Sequence, residues 1–179
     1  MHTPHPLALF EHCPCCGASS FAVLNEKAKR CSRCGFTYFF NASAAVVACI
    51  FNTSGELLVC RRAQEPARGT LDLPGGFIDL GETAEEGLAR EVLEETGLHV
   101  DAAHYLFSLP NIYPYSGLEV HTLDLFFRAT LLDVDARPQA MDDAAEAFFL
   151  PLSQINPADF GLASIRRGVE RLLEASIVR

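Results

Sequence analysis

The stretch GFIDLGETAEEGLAREVLEETGL, residues 76–98, decides how the rest of the chain is read. Its second half has the marks of a helix. Thr83 is placed to cap it, and Glu86, three residues on, is placed to close a capping box. Gly97 stands where a left-handed glycine commonly ends a helix. Within that helix Glu91, Glu94 and Glu95 crowd three negative charges into five residues, with Arg90 alone beside them. Like charges at i,i+4 cost on the order of a few tenths of a kcal/mol on an isolated helix. The crowding therefore asks for a compensating cation.

At about 100° per residue, the three glutamates fall within an arc of about 100°. Leu88, Ala89, Val92 and Leu93 fill the adjacent arc. One face is expected to pack on a sheet, and the next to present carboxylates to a common point. A charge run is ordinarily a solvated face. Here the acids gather on one edge of a short helix instead of alternating with lysines. Clustered carboxylates are hard oxygen ligands of the kind Mg²⁺ and Mn²⁺ prefer.

Read from Gly76, the spacing is G-x5-E-x7-R-E-V-L-E-E-T-G-L, met by Gly76, Glu82, Arg90, Glu91, Val92, Glu94, Glu95, Gly97 and Leu98. It resembles the Nudix box at every defined position. The resemblance implies an α/β class, Nudix α/β/α sandwich with a mixed sheet. It implies a Nudix pyrophosphohydrolase that uses Mg²⁺ (or Mn²⁺) to cleave the pyrophosphate bond of a nucleoside diphosphate derivative. Carried over, Glu91, Glu94 and Glu95 are expected as metal ligands, with Glu94 or Glu95 near the attacking water. The Gly76 carbonyl joins the metal shell, Arg90 orients the carboxylates by ion pairing, and Glu82 supports them. Phosphoryl transfer suits such a set, because it needs positioning and charge neutralisation more than covalent help.

Outward from the box, ASAAVVACIFN (42–52) fits a buried strand and ELLVCRR (56–62) a second, with the SG turn signal at 54–55 suggesting a hairpin. GTLDLPGGFIDLGE (69–82) is expected as a glycine-punctuated loop. LHVDAAHYLFSL and LEVHTLDLFFRATLL suggest strands, and EAFFLPL a short strand closed by Pro151. GLASIRRGVERLLEAS (161–176) suggests a helix with Leu162, Ile165, Val169, Leu172 and Leu173 on one face. The family commonly carries another metal-binding glutamate ahead of an aromatic-rich strand. Glu146 fits that place, with Asp142 and Asp143 as rivals and an exposed strand-entry carboxylate as the plain alternative.

Upstream, CPCCG (13–17) and CSRCG (31–35) repeat C-x-x-C, with fourteen residues between Cys16 and Cys31. Two such pairs suit a closed, structural Zn²⁺ site on Cys13, Cys16, Cys31 and Cys34. Disulfides or unrelated thiols are the alternative. Cys15 is surplus, because only Cys13 and Cys16 match the spacing of the second pair. Cys49 and Cys60 lie in apolar strands and suit the core. The domains are thus expected as a zinc ribbon over 1–41 and the hydrolase domain over 42–179. A segment this small can scarcely build a core, so metal is expected to supply its folding energy.

Net charge is −9, and 49% of residues are hydrophobic, so a packed core is expected and disorder is not. Residues 1–41 carry +2, leaving −11 on the remainder. That balance argues against nucleic acid or an anionic membrane as the main partner. There is no apolar run of membrane-spanning length and no signal-peptide pattern at the start, which suggests a cytoplasmic protein. A homodimer is the assembly expected of the family.

The ribbon followed by the box is similar to the NADH pyrophosphatase branch. That branch carries S-Q-P-W-P-F-P-x-S after the box. Here SLPNIYPYS (108–116) keeps Ser108, Pro110, Pro114 and Ser116 and has Tyr113 in place of Phe, while Leu109, Asn111 and Ile112 depart from it. The further domain that precedes the ribbon in that branch is missing from this sequence. NADH, NAD or ADP-ribose are the substrates this suggests, with Tyr113 and Tyr115 stacking on a ring or, alternatively, anchoring a proline-stiffened loop. Two other readings are a nucleotide sensor without catalysis and removal of the NAD cap from RNA. Intact box carboxylates weigh against the sensor.

Overall fold

The computed structural model describes residues 5–174, which fall into two units. One contains residues up to Ser43 together with Ile112–His121; the other contains Ala44–Asn111 and the residues from Thr122 onward.

The first unit is built on strands β1 (Phe21–Asn25), β2 (Ala28–Cys31) and β3 (Thr37–Phe39), paired in that order. Its apolar centre is small: Cys13, Phe21 and Cys31, with Cys16, Ala18 and Phe36 against them. Lys29 is buried and donates to the carbonyls of Leu7 (3.2 Å) and Phe10 (2.6 Å), tying the segment before the cysteines to β2.

The second unit places two sheets between two helices. Strands β7 (Gly75–Phe77), β4 (Ser43–Ile50), β9 (Leu118–Leu131) and β8 (Val100–Tyr115) form one sheet in that order; residues 112–115 of β8 and 118–121 of β9 belong to the first unit. Strands β10 (Ala144–Leu150), β5 (Leu57–Arg62) and β6 (Leu71–Asp72) form the other. Side chains of β4 and β5 alternate between two apolar clusters. Val47, Cys49, Leu57 and Val59 meet Ile165, Val169 and Leu172 of helix α2 (Ala163–Glu174). Val46, Ala48, Ile50 and Leu58 meet Leu88 and Val92 of helix α1 (Ala84–Thr96). Each fully buried Leu or Val is worth about 1.5–3 kcal/mol relative to exposure. The α/β/α layering therefore follows from two-sided strands, as the sequence suggests. Cys49 and Cys60 are core residues.

Several local expectations change. β4 and β5 are not a hairpin: among the described residues they share one bridge, Phe51 to Leu57, and then enter different sheets. Strands buried on both faces take partners on both edges, and these come from distant segments. The 69–82 loop contains β6 and β7. β8 runs on through Tyr115 instead of ending before the Pro110–Pro114 stretch; it is an edge strand, where proline removes no ladder bond that matters. On α1 the buried residues are Gly87, Leu88, Val92 and Thr96, whereas Leu93 is exposed. On α2, Leu173 is exposed, and the expected residues 175–176 lie outside the described ones.

Candidate active site and thiol cluster

Helix α1 starts and stops where its sequence says. The Thr83 hydroxyl accepts from the Glu86 amide, Glu86 accepts from the Thr83 amide, and Gly97 closes the helix at φ 70°. These caps fix the phase of the helix, and with it the direction of the glutamates.

Arg90 is the hub of the site. Its Nε and Nη2 donate to the two Glu82 oxygens at 2.8 and 2.9 Å. Nη1 donates to Glu91 at 2.8 Å and Glu94 at 3.2 Å, and Nη2 also reaches the Phe77 carbonyl at 3.0 Å. A guanidinium has five N–H groups, and all are engaged. The charge crowding on α1 is thus relieved within the protein itself. The Arg90 guanidinium holds the Glu82 carboxyl down to about 2, and its own pKa is raised in return.

Glu95 is held differently. Its carboxylate accepts from the Gly75 amide at 3.1 Å. Burial pushes it up to about 8, against the pull of that amide, with the charges of Asp72 and Glu91 adding to the rise and Arg62 opposing it. Burial also raises Glu91, with Arg90 opposing.

The two glycines make this approach possible. A Cβ on Gly75 would stand 2.0 Å from the Val46 carbonyl oxygen, and one on Gly76 would stand 2.6 Å from the Glu91 carboxyl group. β7 pairs with β4 through Val46–Gly76 and Val47–Gly75, and the Ala48 amide donates to the Pro74 carbonyl at 2.7 Å. The loop is therefore pressed between β4 and the acidic edge of α1.

Glu146 pairs with Arg61 at 2.8 Å across β5 and β10, beside a register shift, and is more than half exposed. The Asp143 carbonyl accepts from Ala63, and Asp142 adopts φ 46°. Tyr113 and Tyr115 fall in the first unit, and Tyr115 is exposed. Two residues near Glu95 escape the sequence reading. Arg62 Nη1 donates to Asp72 at 2.6 Å, and both side chains are mostly buried. Burial raises the Asp72 carboxyl and Arg62 opposes it; at this distance the two form an ion pair. The available signal was a charge placed between the leucines of "LDLP".

In the first unit the sulfurs of Cys13, Cys16, Cys31 and Cys34 all lie within 4.8 Å of one another. Cys13–Cys34 and Cys16–Cys31 are each 3.7 Å apart. Zn–S bonds of about 2.3 Å in a tetrahedron put sulfurs about 3.8 Å apart, so the thiols fit zinc. Both C-x-x-C turns close alike, Gly17 donating to Cys13 and Gly35 to Cys31, at φ 71° and 76°. The Cys34 amide holds the Cys31 thiol down to about 6, whereas Cys34 is raised, the pull of the Phe36 amide being outweighed by burial and the neighbouring thiols. Among the described residues this is the one group of three or more His, Cys, Asp or Glu side chains whose ligand atoms all lie within 4.8 Å of one another.

Comparison with known proteins matches residues 41–172 to the NUDIX domain. The chain is 36% identical over 115 residues to an ADP-ribose pyrophosphatase of Methanocaldococcus jannaschii, covering 63% of this chain and 64% of that protein. It is 32% identical over 114 residues to the NAD-capped RNA hydrolase NudC of Vibrio parahaemolyticus, covering 63% and 42%. It thus spans less than two thirds of each of these relatives. The crystal structure of a NUDIX hydrolase from Nitrosomonas europaea superposes with a TM-score of 0.70 at 25% identity, covering 92% of this chain and 90% of that one.

Proposed function

The chain belongs to the NUDIX domain family, and from that premise we propose that it is a divalent-metal-dependent pyrophosphohydrolase acting on a nucleoside diphosphate derivative of the ADP-ribose or NADH/NAD class. The observation that carries the reading is the Arg90 hub, which gathers Glu82 of the preceding loop with Glu91 and Glu94 of α1. The names of the relatives supply the substrate class.

Glu91, Glu94, Glu95 and the Gly76 carbonyl would hold Mg²⁺ or Mn²⁺; an all-oxygen, mostly anionic donor set fits either ion. When bound, the ion offsets phosphate charge and makes a bound water more acidic. Arg90 keeps the carboxylates in place, and its bidentate grip on Glu82 anchors it to the loop before the helix. Glu94 or Glu95 takes the proton of the attacking water. In this reading Glu146 would join the metal ligands, and Tyr113 and Tyr115 would stack on a base or nicotinamide ring. The four cysteines hold a structural Zn²⁺, with the ribbon over 1–41 and the hydrolase domain over 42–179.

Purified protein with Mg²⁺ is expected to release monophosphates from ADP-ribose, NADH or a dinucleoside polyphosphate, and Glu95→Gln to cut that turnover by about two orders of magnitude or more while staying folded. Absence of turnover on every member of the panel refutes the reading. A second reading, removal of the NAD cap from RNA, is favoured by the name of the NudC relatives. Comparing free NAD with NAD-capped RNA at equal concentration separates the two. Among the described residues, no helix is long and apolar enough to cross a membrane.

A further inference from the structure

We propose that the buried Arg62–Asp72 ion pair is a positioning device for Glu95, setting the 73–76 loop whose Gly75 amide holds that carboxylate; the inference rests on the pyrophosphohydrolase reading above. Arg62 ends β5 and Asp72 ends the neighbouring β6. Arg62 is fixed twice, by the Asp72 oxygen at 2.6 Å and by the Pro66 carbonyl, to which its Nε donates at 2.7 Å. The second Asp72 oxygen accepts from the Leu73 amide at 2.8 Å. Asp72 therefore grips the first residue of the loop. Two residues later the Gly75 amide donates to Glu95 at 3.1 Å. Between them, the Pro74 carbonyl accepts from Ala48 on β4. The loop is clamped at one end by a charge pair and in its middle by the sheet, and the Gly75 N–H is aimed at the α1 carboxylate.

Sheet stability does not explain the pair. A buried ion pair is often matched or bettered by apolar residues of similar volume, while removal of one partner alone is costly. The strands already pair through Cys60–Asp72 and Arg61–Leu71. What apolar side chains cannot supply is the hydrogen bond to Leu73. The pair also lies within electrostatic reach of Glu95, as does Cys60, whose thiol is raised first by burial and then by the charges of Glu95 and Asp72.

The test is the double variant R62M/D72L in the full, zinc-loaded chain, with D72N as the milder companion. Thermal unfolding, kcat and KM on the best substrate of the panel, and Mn²⁺ affinity by paramagnetic resonance titration are measured together. Loss of an outer partner of a metal ligand costs about 10–100-fold in metal affinity or activity. The double variant is expected to unfold near the wild-type temperature, to bind Mn²⁺ at least about tenfold more weakly, and to lose kcat more than KM. D72N is expected to move the same way. If a folded double variant, or D72N where the double variant does not fold, keeps Mn²⁺ affinity and kcat within about threefold of wild type, the proposal is overturned. If wild type binds Mn²⁺ but turns over nothing on the panel, the pyrophosphohydrolase reading falls, and the positioning claim is decided on Mn²⁺ affinity alone.

Discussion

Gly76→Ala probes the site with a single methyl group. Its Cβ would meet the Cδ, Oε1 and Oε2 atoms of Glu91 all at 2.6 Å, on the face of the carboxylate. Ordinary van der Waals contact begins near 3.4 Å, so one side must yield by about 0.8 Å. The backbone cannot easily do so. Gly76 is in register with Val46, and Gly75 beside it already lies against the Val46 carbonyl. The carboxylate must move, and it is also bonded to Arg90 at 2.8 Å, so the hub is strained with it. A misplacement of about 1 Å among reacting groups can cost about 10²-fold in rate. The expected outcome is a loss of roughly that size in kcat for monophosphate release under saturating Mg²⁺. Thermal stability should change little, because Gly→Ala effects at a tolerated backbone position are about 1 kcal/mol or less. A variant with kcat within about threefold of wild type and an unchanged melting temperature would falsify the assignment of Glu91 and Gly76 to one crowded metal shell.

Other perturbations test other parts. Cys31→Ser is expected to release zinc and to loosen the first unit; elemental analysis showing undiminished zinc would remove the four-thiol assignment. The Glu82 carboxyl is held at about 2 in the folded protein against an ordinary 4.5. Its contribution to stability is therefore complete above about 4.5 and is lost as pH falls toward about 2. Glu82→Gln should flatten the acid limb of a stability-versus-pH curve over that interval, and an unaltered limb counts against the pairing. Gly168→Ala places a methyl 2.2 Å from the Phe126 ring in the α2 cluster. Overpacking of this kind costs about 1–3 kcal/mol, and a chemical-denaturation midpoint equal to wild type would show that α2 can shift aside.

Much of the site was legible because it is local. Glu82, Arg90, Glu91, Glu94 and Glu95 share one loop and one helix, and helical periodicity alone puts the last three on one edge. The caps at Thr83 and Gly97 were legible for the same reason. The pairing of Cys13 and Cys16 with Cys31 and Cys34 was legible because C-x-x-C is itself a turn. Strand partners were not. β4 and β5 adjoin in sequence and look like a hairpin, yet periodicity says only that both are buried, not which edge each will find. The ends of β8, and the placing of Leu93 and Leu173 in solvent, depend likewise on where neighbouring layers stop.

The amino-acid sequence by itself determined the helix, its acidic edge, the glycine doublet and the two thiol pairs, because each is set by contacts within a few residues. Only the tertiary structure decided what those groups meet. It brings Gly76 beneath Glu91, the Gly75 amide to Glu95, Asp72 to Arg62, and Glu146 to Arg61. Such contacts join residues that are distant in sequence, through the pairing of β4 with β7, β5 with β6 and β5 with β10. Buried strands choose those partners by the packing of the whole unit, and no short stretch of sequence carries that information.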